Sequence, residues 1–306
     1  MCPDAEHPER GSFVRDQFAA LQRRPGVEVE LYEHLPGPRA LAGATLALRR
    51  RYRHRRFDVV HAHFGLSAYS ALAVRARVRA LTVHGTDLVH PRTALLTRTA
   101  LRWIDLPAAP SRELAELLPD PGRVAILPCG VDLERFRPSP RGPARARIGL
   151  DPSRPCLLFP ADPARAEKRF DRVRALAGAL AQRPEILHLG GVPTARVPDF
   201  VNAANVVLVT SEREGFGLAV LEALACDVPV LATPVGVHRE ALAGLPGALC
   251  APFAVDRWAE LAGACLAAED PRISGRARAA QWSSERMAEA VALAWQEQLG
   301  KAGARR

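Results

Sequence analysis

Two carboxylates beside a glycine-rich turn are the residues whose spacing most directly suggests chemistry. Glu214 precedes the sequence Gly-Phe-Gly (215–217), and Glu222 lies eight positions after it. The apolar run 206–209 before this turn predicts a buried parallel strand. A helix expected from about Leu218 would point its free N–H groups at the turn, which suits an anion such as a diphosphate. Open α/β sheets bind ligands at this end of their strands.

The expected distance between the two carboxylates excludes some of the roles they could have. If the second half of the segment is helical, the carboxylates of Glu214 and Glu222 lie roughly 10–12 Å apart. That is too far for a glycosidase pair sharing one bond, which needs about 5–9.5 Å. It fits two acids that bind hydroxyls at opposite ends of one long ligand. A strand–helix–strand unit with two ordinary surface glutamates fits equally well, so spacing alone leaves both open.

The segment 214–236 resembles the donor-site signature of the retaining glycosyltransferases of family 4, glycosyl transferases group 1. Five further pieces resemble motifs of that family, in the same order along nearly the whole chain. They are Asp-Val-Val-His-Ala-His (58–63), Val-His-Gly-Thr-Asp (83–87), Leu-Pro-Ala-Ala-Pro-Ser (106–111), Leu-Pro-Cys-Gly-Val-Asp…Phe (127–136, with Cys129 in place of Asn) and 159–170 around Lys168.

The resemblance implies an α/β protein with two Rossmann-like domains facing a cleft, the GT-B arrangement. We expect residues 1–140 to form the acceptor-side domain and 141–282 the domain that binds the nucleotide sugar. Residues 283–306 should form a helix that packs back toward the N-terminal domain. Its apolar stripe consists of Met287, Val291, Ala294 and Trp295. The Pro-rich stretch 137–143 predicts a linker that breaks both helix and strand.

The beginning of the chain departs from the family pattern. Family members begin with a buried strand and a Gly-rich loop, whereas Gly11 is the only glycine before Gly26 here. We predict a helix over 11–23 and a strand over 27–31, but no first strand before them. The N-terminal sheet would then have unpaired edges. A true start upstream of Met1 is the explanation we favour at this stage, and a protein that lives without the strand is the other.

The resemblance also implies a reaction. A sugar would move from a nucleoside diphosphate sugar to an unidentified acceptor with retention of configuration, and no metal or cofactor is expected. Cationic side chains and helix dipoles would neutralise the leaving group. The implied catalytic residues are Glu214, His84 and Lys168. The implied substrate-binding residues are Glu222 for the ribose, Gly215, Phe216, Gly217, Leu218 and Arg165 around the donor, with Asp87 and Gly11.

Several of these assignments have alternatives. The family often has an arginine at the position of Pro163, so Arg165, or less well Arg169, would have to replace it. Lys168 is one of only two lysines, at 168 and 301, which chance could also produce. His84 could equally be a histidine that satisfies a turn, and His238 could touch the sugar or simply solvate its loop.

Charge is distributed unevenly along a chain of ordinary composition. The 306 residues are 48% hydrophobic and 25% charged, and the net charge of +9 belongs entirely to the first half. The cluster Arg49–Arg56 is either a solvated helix face or a docking surface for anionic lipid or an anionic acceptor. Nucleic acid is not expected as a partner, because aromatics are few and no recognition module is visible.

The same composition suggests a compartment. No apolar run of ~18 residues predicts a membrane span, and the first residues lack the apolar region of a secretory signal. Six scattered cysteines without metal-ligand spacing fit a reducing environment. We therefore expect a cytoplasmic protein, with peripheral contact at the inner membrane face as an option.

Two other functions compete with glycosyl transfer. A degenerate, non-catalytic homologue that binds a nucleotide sugar would explain the missing strand and Pro163, but not the intact Glu214, Glu222 and Lys168. A sugar-nucleotide epimerase of the same fold is the second rival. The Gly-Phe-Gly turn and the segment 131–136 fit a transferase better.

Overall fold

A computed structural model describes residues 11–304 of the chain. The described residues divide into two compact units. Unit 1 comprises residues 11–130 and 284–304, and unit 2 comprises residues 131–283. Among residues 11–304, no helix combines the length and the apolar character that crossing a membrane requires.

Each unit is built on a parallel sheet. The strands of unit 1 lie in the order β1-β2-β3-β4 and those of unit 2 in the order β6-β5-β7-β8-β9. Their bounds are β1 Arg56–His63, β2 Arg75–Thr82, β3 Leu106–Ala109, β4 Ala125–Ile126, β5 Cys156–Phe159, β6 Glu185–His188, β7 Val206–Val209, β8 Val230–Ala232 and β9 Leu249–Cys250. Helices between parallel strands give the two Rossmann-like domains that the resemblance predicts.

The helices follow in chain order. Unit 1 contains α1 Ser12–Gln22, α2 Pro38–Arg51, α3 Ser67–Ala71, α4 Thr86–Val89, α5 Pro91–Ala100 and α6 Arg112–Ala115. Unit 2 contains α7 Arg141–Ile148, α8 Phe170–Ala179, α9 Val197–Ala203, α10 Leu218–Ala225, α11 His238–Leu242, α12 Val255–Ala267 and α13 Arg276–Ala279. The chain then returns to unit 1 as α14 Ser284–Ala304.

The core of unit 1 lies on both faces of its sheet. Val78 and Ala80 of β2 meet α14 through Trp295. Leu81, from the opposite face of the strand, packs against the layer that contains α3 and α5. This alternation is the period of two that a strand covered on both sides requires. The stripe that includes Met287 and the neighbouring turns of α14 therefore lies inside unit 1.

A single large side chain, that of Trp258, packs against the sheet in the core of unit 2. Trp258 of α12 is fully buried against Leu157, Leu208 and Leu231, which come from three neighbouring strands. The apolar run predicted at 206–209 coincides with β7, which lies beside β5 in the sheet. Both strands are buried at every position, as expected for central strands of a parallel sheet.

The strand predicted over residues 27–31 was wrong. Residues 27–35 are irregular and belong to no ladder in the described chain, and β1 has only β2 as a strand neighbour there. A cavity of about 600 Å³ is lined by residues 26–34 and by β1. The irregular segment is held through side chains instead, for example by the Tyr52 hydroxyl, which donates to Glu30 over 2.7 Å. The prediction that the first sheet lacks its first strand agrees with β1 being an edge strand in the described residues.

The prediction that residues 137–143 break a helix was also partly wrong. The segment is irregular to Pro140, but α7 already begins at Arg141. Pro143 is thus in the first turn of the helix. Because the N–H groups of a first turn have no intrahelical partner, a proline there costs no hydrogen bond.

Residues 28–33 should exchange their amide hydrogens rapidly, because their backbone belongs to no ladder of the described chain. An amide without a ladder partner is protected only by local contacts. Hydrogen exchange followed by mass spectrometry should show fast labelling of 28–33 and slow labelling of β5 and β7. Protection of 28–33 equal to that of β7 would contradict the absence of pairing described for this segment.

Candidate functional site

An ion pair between Lys168 and Glu214 lies at the carboxyl ends of the strands of unit 2. Lys168 ends a short turn of 3-10 helix after β5, and Glu214 lies in the loop after β7. The ammonium Nζ lies 2.6 Å from Oε1 and 2.7 Å from Oε2 of Glu214. Ser211 donates its hydroxyl to Oε1 over 2.6 Å. The side chains of Lys168 and Glu214 are only 14% and 11% exposed, so water screens their attraction weakly.

This environment keeps Glu214 ionised. Burial alone would raise the pKa of the Glu214 carboxyl, since desolvation disfavours its charged form. The charge of Lys168 and the hydrogen bonds from Lys168 and Ser211 outweigh burial and hold the pKa below its usual range. The structure thus places an acid that is ionised at neutral pH beside a lysine at the strand ends.

Three loops are tied together around this pair. Thr210 donates its hydroxyl to the carbonyl of Lys168 over 2.8 Å, which joins the loops after β7 and β5. The backbone N–H of Glu212 donates to the carbonyl of Glu167 over 2.9 Å. Thr233, which follows β8, donates its hydroxyl to the carbonyl of Ser211 over 2.5 Å. These hydrogen bonds to backbone groups fix the loop that contains Glu214. The position of Glu214 therefore does not depend only on the contacts of its own side chain.

The glycine-rich turn is closely covered by the loop after β8. Gly217 has φ of 108°, and a Cβ there would lie 2.4 Å from Nε2 of His238. A Cβ on Gly236 would lie 2.3 Å from the carbonyl oxygen of Phe216. The N–H of Val237 donates to that same carbonyl over 2.8 Å. Glycine is needed at both positions because no side chain fits between the two loops.

His238 is a residue whose role the sequence left undecided. It is fully buried, and its Nδ1 donates to the carbonyl of Thr233 over 2.8 Å. Its ring fills the space that Gly217 leaves open. The alternative in which His238 only solvates its loop is therefore wrong. The buried ring packs against the glycine-rich turn at Gly217. Ser211 was not singled out at all. A hydroxyl three positions before the acid, at a strand end, was the available signal.

The first turn of α10 offers free amides beside the acid. Among residues 11–304, the N–H groups of Phe216, Gly217 and Leu218 have no hydrogen-bond acceptor. Helix N-termini with such groups attract anions. Gly215 occupies the turn between Glu214 and these amides, and Glu222 is half-buried one turn into α10. The predicted donor-binding segment is thus one continuous turn and helix.

The arginines proposed for phosphate contact already have carboxylate partners. Arg165 binds Glu167, with 2.7 Å between the closest atoms. Arg169 binds Asp171 at 2.7 Å and also contacts Glu212. A diphosphate would have to compete with these pairs. The prediction for Arg165 stays untested, and nothing in the geometry favours it over Arg169.

Unit 1 places a row of histidines at the carboxyl ends of β1 and β2. His61 and His63 alternate along β1, with their rings stacked at 4.8 Å. Nδ1 of His63 lies 3.0 Å from Nε2 of His84, which follows β2. Trp295 of α14 donates its indole N–H to Nδ1 of His61 over 3.1 Å. His61 Nε2 then lies 2.8 Å from the hydroxyl of Thr82.

The contacts assign a tautomer to each ring. Because His61 Nδ1 accepts from Trp295, its proton lies on Nε2. The amide nitrogen of Gln17, a donor only, lies 3.4 Å from Nε2 of His63. His63 therefore accepts at Nε2 and donates from Nδ1 to His84. His84 in turn accepts at Nε2 and carries its own proton on Nδ1, which makes that nitrogen a hydrogen-bond donor.

Burial keeps this row neutral. Desolvation lowers the pKa of His61 to about 4 and that of His84 to about 3. It lowers the pKa of His63 well below the ordinary value, and its histidine neighbours act in the same direction. All three rings are therefore uncharged at neutral pH, as the assigned tautomers require.

Asp87 and Gly11 have clear local roles. Burial raises the pKa of Asp87 against the backbone hydrogen bonds that lower it. Its two oxygens accept from the N–H groups of Gly65 and His84, each over 3.0 Å. Asp87 thus positions His84, and contact with substrate stays a prediction. Gly11, at φ 68°, caps α1 and accepts from the N–H of Val14 over 3.0 Å. Its binding role is likewise untested.

The described cysteines are unpaired thiols. Cys129, Cys156, Cys226 and Cys265 are buried, and Cys250 is half-buried. Cys2 lies outside the described residues. Desolvation raises the pKa of the Cys129 thiol to about 12, so it is not a nucleophile at neutral pH. Two of the buried thiols take part in hydrogen bonds, since Cys156 donates to the carbonyl of Ala203 and Cys226 accepts from the side-chain amide of Asn202.

Two family models match the chain. Residues 162–281 match "Glycosyl transferases group 1", and residues 3–135 match "Glycosyltransferase Family 4". A D-inositol 3-phosphate glycosyltransferase of Pseudarthrobacter chlorophenolicus is 30% identical over 84% of this chain and 73% of its own length. The chain spans between 60% and 73% of the length of five such relatives.

Solved structures share the fold. Anabaena Alr3699/HepE in complex with UDP and glucose is similar with a TM-score of 0.72 and 17% identity, over 97% of this chain and 98% of that one. The sucrose-phosphate synthase of Thermosynechococcus elongatus gives a TM-score of 0.69 at 20% identity, over 95% of this chain and 94% of that one. These likenesses concern the fold alone.

His63→Asn should weaken the acid sensitivity of the fold. A histidine held neutral when folded, but protonated when unfolded, makes stability fall as pH drops from about 6.5 toward the lowered folded pKa. Removing one such group should reduce the slope by up to about 1.4 kcal/mol per pH unit between pH 6 and 5. Urea unfolding at pH 7, 6 and 5 measures the slope.

The exposed His54 provides the matched control. His54→Asn should leave the pH slope of the wild type unchanged. Equal slopes for His63→Asn, His54→Asn and the wild type would show that His63 is not held neutral in the folded protein.

Proposed function

The chain belongs to the family 4 glycosyltransferases with the GT-B fold, and we propose that it transfers a sugar with retention from a nucleoside diphosphate sugar to a hydroxyl acceptor. The observation that carries the proposal is the buried ion pair of Lys168 and Glu214 beside the free amides of α10. A cation and a helix N-terminus suit a diphosphate, and a charged acid next to them suits sugar hydroxyls.

The residues of unit 2 take separate parts of the donor. Lys168 and the amides of Phe216 to Leu218 hold the diphosphate. Glu214, which pairs with Lys168 in this structure, accepts hydrogen bonds from sugar hydroxyls and stabilises positive charge near the anomeric carbon. Glu222 holds the ribose hydroxyls. Lys168 exchanges its carboxylate partner for the diphosphate, so donor binding leaves neither charge without a partner.

The transfer itself needs no nucleophile from the protein. The bond between the anomeric carbon and the β-phosphate oxygen breaks, and a bond to the acceptor oxygen forms on the same face. The acceptor proton passes to the leaving phosphate. Lys168 and the amides of α10 stabilise the charge that develops on the leaving group, so we propose a metal-independent reaction. His84 acts in turnover through its Nδ1–H donor, which Gln17 and His63 set up.

The arginine cluster of unit 1 has a narrower part in the proposal. Arg51 and Arg55 bind Glu30, and Arg55 also covers the ring of Phe57. Arg49, Arg50 and Arg53 remain exposed without a carboxylate partner in the described part of the chain. We assign these three to long-range attraction of an anionic acceptor or lipid surface, which salt should weaken.

Donor binding should raise the melting temperature. A ligand at 100 times its dissociation constant adds about 2.7 kcal/mol of stability. We expect one base among UDP, GDP, ADP and TDP sugars to shift the wild type. Glu222→Ala should lose most of that shift, because the ribose contact is removed. Glu260→Ala, an exposed acid on α12, is the control and should keep it. No shift with any donor would refute donor binding.

Glu214→Gln should separate binding from turnover. Loss of a charged group that acts mainly in the transition state should lower kcat by about 10²–10³. Binding of the free nucleoside diphosphate should change little. Glu212→Gln, two positions away and paired with Arg169, should retain activity. Proton NMR of the product tests retention. An inverted anomer would overturn the stereochemistry, and an epimerised donor without nucleotide release would indicate an epimerase.

A further inference from the structure

A patch of unit 1 outside the sites described above combines exposed apolar and basic side chains. We define the α5 patch as Arg92, Leu95, Leu96, Arg98, Arg102 and Trp103, all of them exposed. Leu95 is 66% exposed, and Leu96 and Trp103 are each 44% exposed. Few large apolar residues of soluble proteins project this far side by side. The α5 patch is therefore a candidate interaction surface.

The orientation of α5 is well defined by its other face. Ala94, Thr97 and Ala100 are buried, and Ile104 anchors the end of the segment in the core. Residues 92, 95, 96 and 99 follow the helical spacing of a single face of α5, so the leucines cannot turn inward without unpacking α5. Trp103 ends the 3-10 turn that follows the helix. The apolar exposure is thus built into the fold of unit 1.

Trp103 is held in place at the end of this face. Its ring meets that of Tyr69 edge-on at 6.2 Å, and the guanidinium of Arg102 lies 5.1 Å from its centre. The Tyr69 hydroxyl donates to the carbonyl of Leu96 over 2.9 Å. Tryptophan fixed beside a cation is the arrangement that membrane interfaces favour, with an apolar ring and a polar edge.

The charges of the patch point to an anionic partner. No aspartate or glutamate occurs between residues 88 and 104. Within the described chain, Arg92, Arg98 and Arg102 make no ion pair, although Arg98 donates to the carbonyl of Leu117 over 3.3 Å. A second copy of the chain would bring three arginines against three arginines. A phosphate backbone would pair with the arginines but would leave Leu95 and Leu96 without an apolar partner.

We propose that the α5 patch is a docking surface for an anionic lipid bilayer. Leu95, Leu96 and Trp103 enter the headgroup region, and the three arginines bind lipid phosphates around them. This contact differs from the attraction assigned to Arg49, Arg50 and Arg53, since it requires insertion of apolar side chains. It also does not depend on the proposed sugar transfer, because the binding needs neither donor nor acceptor.

Vesicle co-sedimentation of the full chain tests the proposal. We expect binding to vesicles of phosphatidylcholine with phosphatidylglycerol, and little binding to phosphatidylcholine alone. Replacing Arg92, Arg98 and Arg102 together by Gln should weaken partitioning on the order of 100-fold. The matched triple change of Arg174, Arg183 and Arg257 to Gln, three exposed arginines of unit 2, removes the same charge and should have a much smaller effect.

Two apolar substitutions test insertion itself. Leu95→Glu should weaken partitioning about tenfold or more, since a charge replaces a leucine that enters the headgroup region. Leu293→Glu is the control, because Leu293 is 54% exposed on α14. A circular dichroism melt checks that each variant is folded. If Leu95→Glu does not fold, Leu96→Ser takes its place.

Trp103 gives a direct readout of depth. Of the four tryptophans, it alone is classed as exposed. Brominated lipid should quench its emission in the wild type, and Trp103→Phe should abolish that quenching. Absence of binding to anionic vesicles would overturn the proposal. So would an equal loss in the Arg174, Arg183, Arg257 control, or self-association through Leu95 with no vesicle binding.

Discussion

Burial of the Glu214 carboxylate is the constraint that organises unit 2. Removing a carboxylate from water costs several kcal/mol, and the charge is tolerated only with close partners. Lys168 and Ser211 supply them, and each comes from a different position on the loops after β5 and β7. The hydroxyls of Thr210 and Thr233 then bind the backbone of those loops. The strand ends are thus joined by one polar network whose centre is the acid.

That network explains why the turn contains glycine where it does. The loop after β8 must approach the turn closely enough for the N–H of Val237 to reach the carbonyl of Phe216. At this distance a side chain on Gly217 would collide with His238, and one on Gly236 would collide with Phe216. The N–H groups of Phe216, Gly217 and Leu218 in the same turn have no hydrogen-bond acceptor in the described residues. The turn therefore combines close packing with the free amides of a helix N-terminus, which suit an anion.

The sequence could predict those parts of the site that depend on local pattern. The strand β7, the turn and the start of α10 at Leu218 follow from an apolar run, two glycines and a helix-forming segment. The role of His238 could not be predicted, because its ring packs against Gly217 of a loop distant in sequence. Ser211 is different, because its partner Glu214 lies only three positions away and gave a local signal. Residues 27–31 have strand-like alternation, but a strand also needs a neighbour. Pro143 was expected to break a helix but lies within α7. A proline is tolerated there because its position is in the first turn of the helix.

The two units satisfy polar groups at their strand ends in opposite ways. Unit 2 uses a charged pair, whereas unit 1 uses a row of neutral histidines with directed hydrogen bonds. Acid affects them differently. As pH falls below about 6.5, the histidines bind protons in the unfolded chain but not in the folded protein. The free energy of unfolding therefore decreases in this pH range. The lowered pKa of Glu214 keeps its pair charged until the pH is below the ordinary carboxyl range. Mild acid should therefore loosen unit 1 while the ion pair of unit 2 persists, so the two polar networks can be distinguished by pH alone.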